Sequence, residues 1–168
     1  PGCLKWKIAR GHRVIIDVTP LKNSPPMIRD PRWDSLSDAD WDAFARAWVA
    51  EMAGQPPEPL PELPVLFEDE PETTASAFVV PMNFTASAEA QWKFIRSLIK
   101  HADDDTLGHL AAGPVEHLLS KHGDEYIDRF EAMANDSPRF AQMLSGCYRH
   151  MMSDDVWARV CAMRGDPA

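Results

Sequence analysis

His109, Glu116, His117, His122 and Glu125 form one stretch whose side chains suit acid–base or metal chemistry. Two imidazoles and a carboxylate can hold a divalent cation or pass a proton when one helix face presents them together. The spacing argues against it. Glu116 and His117 are consecutive, so an α-helix points them about 100° apart. His109 and Glu116 align only if a helix runs unbroken through Gly113-Pro114. HExxH is absent, and HxxEH fails because Gly113 stands where the first His would be. His122 precedes Gly123 at an expected helix end, where the dipole alone favours an imidazolium. Cys147 and His150 are three residues apart, but a thiol in an apolar helical pattern lacks the electropositive setting of a nucleophile. GxGxxG, GxxxxGK and GxSxG are all absent. No catalytic residue, metal or cofactor is assigned, and Glu116, His117 and His122 are kept as candidate binding residues.

The elements that must position these groups read as helices. Ser35 or Ser37 can cap a helix over 35–54, with acids in its first turns and Trp41, Phe44, Trp48 and Met52 on one face. Gly54, Pro56 and Pro57 stop it. Thr85 or Ser87 caps a helix striped by Trp92, Ile95, Ile99 and Ala102, and Asp103 to Asp105 start the next, with Leu107, Leu110 and Ala111 inward. At Gly113-Pro114 a new helix is expected to begin and run to Gly123, and a kinked continuous helix is the competing reading. Asp124 caps a helix carrying Ile127, Phe130 and Ala134. Ser137-Pro138 opens one carrying Phe140, Met143, Leu144, Cys147 and Met151. Ser153 caps the last, with Trp157, Val160 and Cys161 inward and Gly165 as its stop. The pattern predicts an all-α fold, an irregular helical bundle or a HEAT-like arrangement of helix pairs, in one domain over 35–168.

Two stretches fall outside that pattern. Residues 1–34 read as an irregular arm; Val14 to Val18 could be a strand but lacks an evident partner. The chain starts at Pro1 rather than Met, as a processed or trimmed chain does. Residues 55–82 hold seven prolines and six acids, an extended loop or solvated linker in expectation. Leu60, Leu63, Val65, Leu66 and Phe67 give it apolar material, and Glu68, Asp69 and Glu70 are candidate binding residues for a basic partner.

The 168 residues carry 26 acids against 17 bases, a net charge of -9, and 45% hydrophobic residues, which excludes a wholly disordered chain. Residues 47–92 contain eight acids and no base. Dispersed arginines and an acidic balance argue against nucleic acid and against anionic membranes as partners. No apolar run reaches the roughly 20 residues of a membrane span. Three widely spaced cysteines without CxxC fit reduced thiols and a cytoplasmic setting.

The run Leu107-Gly108-His109-Leu110-Ala111-Ala112-Gly113-Pro114-Val115-Glu116-His117-Leu118-Leu119, followed by Lys121-His122-Gly123, resembles the core of a family of small uncharacterised bacterial proteins with the pattern LGxLAAGP(V/L)ExLLxxHG. Trp41, Trp48, Trp92 and the segment from Ala134 through Ser137-Pro138 to Phe140 and Leu144 extend the likeness over roughly 36–164, the proline-rich stretch aside. The resemblance implies a shared helical unit and transfers no activity. The function expected is a non-enzymatic protein-interaction module for a protein partner of basic character, with immunity or antitoxin roles inside that class. The alternatives are an enzyme with a cryptic His/Glu site and an accessory domain of a larger assembly.

Overall fold

The computed structural model describes residues 28–64 and 74–165, together with the backbone of 5–9 and 12–16. Two strands, β1 (Lys5–Ala9) and β2 (His12–Ile16), pair antiparallel, with Lys5 opposite Ile16 and Ala9 opposite His12. The strand foreseen around Val14 therefore has a partner, and the arm is not irregular throughout. Among the described residues, the α-helices are α1 (Asp38–Met52), α2 (Ala75–Thr85), α3 (Ala88–His101), α4 (Asp104–Leu110), α5 (Glu116–Asp136), α6 (Pro138–Leu144) and α7 (Asp154–Arg164). The fold is all-α, a helical bundle.

The caps follow the sequence. Ser37 and Asp40 close a capping box on α1, Asp103 and Thr106 close one on α4, and Ser87, Ser137 and Ser153 each accept a first-turn N–H of α3, α6 and α7. Gly165 ends α7 at φ 75°, a left-handed conformation that glycine adopts without a Cβ penalty.

Helix α3 is the keel. Trp92 and Phe94 stand two residues apart and so face nearly opposite sides. Phe94 stacks on Phe44 at 4.5 Å, beside Trp41 and Trp48 of α1. Trp92 packs on Phe130 of α5 at 4.9 Å and on Phe140 of α6 at 6.4 Å. Two aromatic nests thus share one helix and merge into one core. A 3-10 turn, Pro31–Ser35, closes the first nest. Its Trp33 is fully buried against Trp41 and Phe44, and its Nε1 donates to Thr85 Oγ1 at 2.9 Å. Asp30 N–H also donates to Thr85 O at 2.8 Å. The helical domain therefore starts near residue 30, upstream of the boundary expected at 35.

The acidic proline-rich segment is corrected more deeply. Its last part is helix α2, with Pro81 inside it. Thr74 offers α2 no side-chain cap; Glu51 Oε2 of α1 accepts the Ser76 N–H at 3.0 Å instead. Residues 60–64 rest on the core, with Leu63 and Pro64 buried and Leu60 half-buried, while 55–59 are exposed. Together they form a strap rather than a solvated linker. The strap leaves α1 through Gly54 at φ 64°, where Gln55 N–H bonds back to Ala50 O at 2.8 Å.

At Gly113-Pro114 the competing reading prevails. The chain stays helical through one π-helical turn, Ala111–Val115, and Glu116 N–H donates to Ala111 O. Pro114 lacks an N–H, and its ring would collide with the carbonyl four residues back in an α-helix; a wider turn relieves both. The helix end expected at Gly123 is a kink at His122, with φ −133° and ψ 22°, inside the single helix α5. Helix α6 ends at Leu144, so Cys147 is buried from a turn and Met151 is exposed rather than inward. On α7 the buried residues are Val156 and Val160, while Trp157 and Cys161 are only half-buried.

Candidate functional site

His109, Glu116, His117 and His122 are directed to different surroundings. His109 is exposed on α4. Glu116 Oε1 accepts the Tyr148 N–H at 2.7 Å and so ties the turn after α6 to the start of α5. His117 points elsewhere and meets the ring of Phe84 edge-on at 4.8 Å. His122 sits at the kink and lines a cleft of about 250 Å³ with Lys121, Asp124, Glu125, Met151 and Ser153. Among the described residues, no group of three or more His, Cys, Asp or Glu side chains is placed to hold a metal ion.

Most of the 107–123 run is occupied with packing. Leu107, Leu110, Ala111, Val115, Leu118 and Leu119 are core. A Cβ on Gly146 would lie 3.0 Å from Ala111 Cβ and 3.4 Å from Gly108 Cα, so glycine there lets the α6 turn rest on α4. A Cβ on Gly123 would lie 2.9 Å from both Val156 methyls, so the kink is where α7 presses on α5. Pro114 sets the π-turn and Glu116 holds Tyr148. His109, His117, Lys121 and His122 are the polar groups this run leaves outside the packing, and His117 is the half-buried one against Phe84. Burial first, then Lys121 and His150, hold its pKa below the ordinary imidazole value. Cys147 offers nothing as a nucleophile. Burial and then the Glu116 charge push its thiol up to about 12, and its Sγ sits 3.7 Å from Ala111 O.

A second place for recognition lies on the strap. The turn after α1, the strap and the start of α2 enclose a cleft of about 210 Å³ lined by Ala47, Glu51, Gly54, Gln55, Pro57, Glu58, Leu60, Thr74 and Ala75. Two carboxylates flank its apolar walls. Glu51 uses one oxygen on Ser76 N–H, and Glu58 accepts Arg46 Nε at 3.0 Å. Arg46 also lies 3.6 Å from Asp42, which His101 Nε2 approaches at 2.9 Å. The candidate residues Glu68, Asp69 and Glu70 lie outside the described residues.

Sequence reasoning missed Phe84, Lys121 and Tyr148, counted Glu51 and Glu58 only within the acid-rich field over 47–92, and weighed His150 only beside Cys147. Glu51 sits in a helix whose register is clear, but its partner is 25 residues away. Phe84 looks like core until α2 exists as a helix and turns it outward, 41% exposed.

No curated protein and no solved structure matches the chain. One family model does, over residues 67–167, a span that takes in α2 through α7, the 107–123 run with its π-turn and kink, and Phe84, His117 and His150. That covers more than half of the sequence, and the chain therefore belongs to that family of unknown function, DUF6869.

Proposed function

We propose that this domain is a protein-binding module that receives a basic segment in the cleft between α1, the strap and α2. The observation that carries this reading is the cleft's chemistry. Apolar walls from Ala47, Pro57, Leu60 and Ala75 stand beside Glu51 and Glu58, in a region of eight acids and no base. A lysine or arginine side chain lays its methylene stem on such walls and its charge on the carboxylates. The wider acidic field over 47–92 steers a basic partner toward the cleft. Proline lowers the ordering cost of docking by holding the strap extended before the partner arrives. Neutralising a basic toxin, as an immunity or antitoxin protein does, is one instance of this class.

The test is an association-rate measurement with a partner recovered by affinity capture. The wild-type on-rate falls steeply as salt rises past physiological strength, where the screening length is ~8 Å. Glu58→Lys with Glu62→Lys lowers it by roughly tenfold or more at low salt, with the melting transition little changed. An unchanged on-rate in the charge-reversed variant contradicts the reading. Deleting the strap is no test, because Leu63 belongs to the core.

A further inference from the structure

The cleft between α1, the strap and α2 has a complement within the same chain. Residues 1–16 carry Lys5, Lys7, Arg10 and Arg13 and no acid; Asp17 is the first. Residues 47–92 carry eight acids and no base. The chain is thus divided into a basic end and an acidic middle. Trp6, Ile8, Val14, Ile15 and Ile16 stand among the bases, so the basic end also brings apolar groups. It forms the hairpin β1–β2, whose strands pair with each other and with no third strand. A two-stranded hairpin is marginal in water unless another surface supports it.

The tether is long enough to bring hairpin and cleft together. Asp30 is fastened to Thr85 O at the C-terminal end of α2, and Ala75, at the other end of that helix, lines the cleft. From Thr85 back to Ala75 the helix rises about 15 Å. The stretch of chain from Ile16 to Ile28 can span up to about 40 Å. The cleft itself is ready for a cation. No base lines it, Glu51 commits one oxygen to Ser76 N–H, and Glu58 shares its carboxylate with Arg46 from the cleft's edge. Ala47, Pro57, Leu60 and Ala75 supply apolar walls for a methylene stem.

From charge, tether and cleft we infer that the basic hairpin of this chain docks in its own α1 cleft, so that an outside basic segment must displace it. The inference rests on the reading of the cleft proposed above and adds its regulation. A ligand held on a short tether acts at an effective concentration of about millimolar order, so a weak contact fills the cleft. The outside segment then meets an open cleft in only a fraction of chains, and its apparent affinity falls by that fraction.

The experiment puts a nitroxide on Cys3 of the full chain carrying Cys161→Ser, Cys147 being buried, and reads amide line broadening by NMR. A docked hairpin broadens Gly54, Gln55 and Ala75 more than Ala86, which lies at the tether's own end of α2. Salt of about 1 M, where the screening length is ~3 Å, removes that pattern, and so does Glu58→Lys. Mixing isotope-labelled chains without nitroxide and nitroxide chains without isotope abolishes the broadening, because the contact lies within one chain. Lys5→Gln with Lys7→Gln, Arg10→Gln and Arg13→Gln raises the affinity of an oligolysine peptide, followed at Gly54 and Ala75, by roughly tenfold. Broadening that is greatest at Ala86 and fades toward Ala75 overturns the docking. Broadening that survives in the mixed sample also overturns it and gives the cleft to the hairpin of a second copy. The two readings fail separately. Without cleft broadening, oligolysine that still shifts Gly54 and Ala75 overturns the hairpin's docking alone, and oligolysine that shifts neither, even in the neutralised variant, overturns both.

Discussion

Two glycines ten residues apart on one continuous helical stretch separate packing from propensity. Gly123 touches Val156 so closely that a methyl group at its Cα would sit 2.9 Å from both valine methyls, while the same atom on Gly113 meets nothing within 4 Å beyond its chain neighbours and its own helix backbone. Gly123→Ala should destabilise by about 1–3 kcal/mol, the range of overpacked cores, and Val156→Ala in the same chain should recover part of that loss. Gly113→Ala should stay within about 1 kcal/mol of wild type, because the lower entropy of the unfolded alanine chain is opposed by its Cβ meeting the ring of the following Pro114. Urea midpoints of the four chains check the pair. His117 supplies a second residue-scale outcome. Its pKa is lowered in the folded state by burial, then by Lys121 and His150. The unfolded chain therefore takes up a proton near 6.5 before the folded one does, and stability falls as pH drops through that value. Asp30, Asp34 and Glu89 also have lowered pKa values, but they weaken the fold only in the carboxylate range, below 3.8 for the aspartates and 4.5 for the glutamate. The loss between about pH 7 and about pH 5.5 should thus shrink in His117→Gln, as midpoints across that window will show.

At the scale of elements, what could be read from the sequence was whatever is local. Ser37, Ser87, Asp103, Ser137 and Ser153 cap helices because the hydrogen bond they make closes within three residues. Helix α2 stayed hidden because its cap, Glu51, comes from another helix and because Pro81 reads as a breaker. Boundaries were expected at both Gly113-Pro114 and Gly123; the first is a π-turn within continuous helix and the second a kink at His122 inside α5. A widened turn accommodates proline locally, whereas Gly123, next to the kink, packs on Val156, 33 residues away. The candidate site divided likewise: Glu116, His117 and His122 could be named from their types, but only packing sends Glu116 to Tyr148 and His117 to Phe84. The 3-10 turn is the strongest case of tertiary control. Trp33 lies next to a proline-broken arm in sequence and at zero exposure in the core. Trp33→Ala should cost about 3–5 kcal/mol in chemical denaturation, a loss that a residue of a loose arm could not produce.

At the scale of the whole molecule, the keel helix α3 joins two aromatic nests, and the strap and α2 close the first of them. The same closure makes the α1 cleft: Leu60 and Leu63, anchored on the core, and the Arg46–Glu58 pair hold Pro57 and Glu58 opposite Glu51 and Ala75. Packing and the proposed recognition of a basic segment therefore depend on one physical fact, that the strap is anchored on the core through residues 60–64. Leu63 tests it directly. It is 7% exposed and belongs to the continuous hydrophobic core. The decisive measurement is the unfolding free energy of Leu63→Ala against wild type from urea titrations. A loss of about 2–4 kcal/mol with an unchanged denaturant slope is the predicted result. A difference within about 0.5 kcal/mol, the range of ordinary surface positions, would contradict it and return residues 55–64 to the status of a linker.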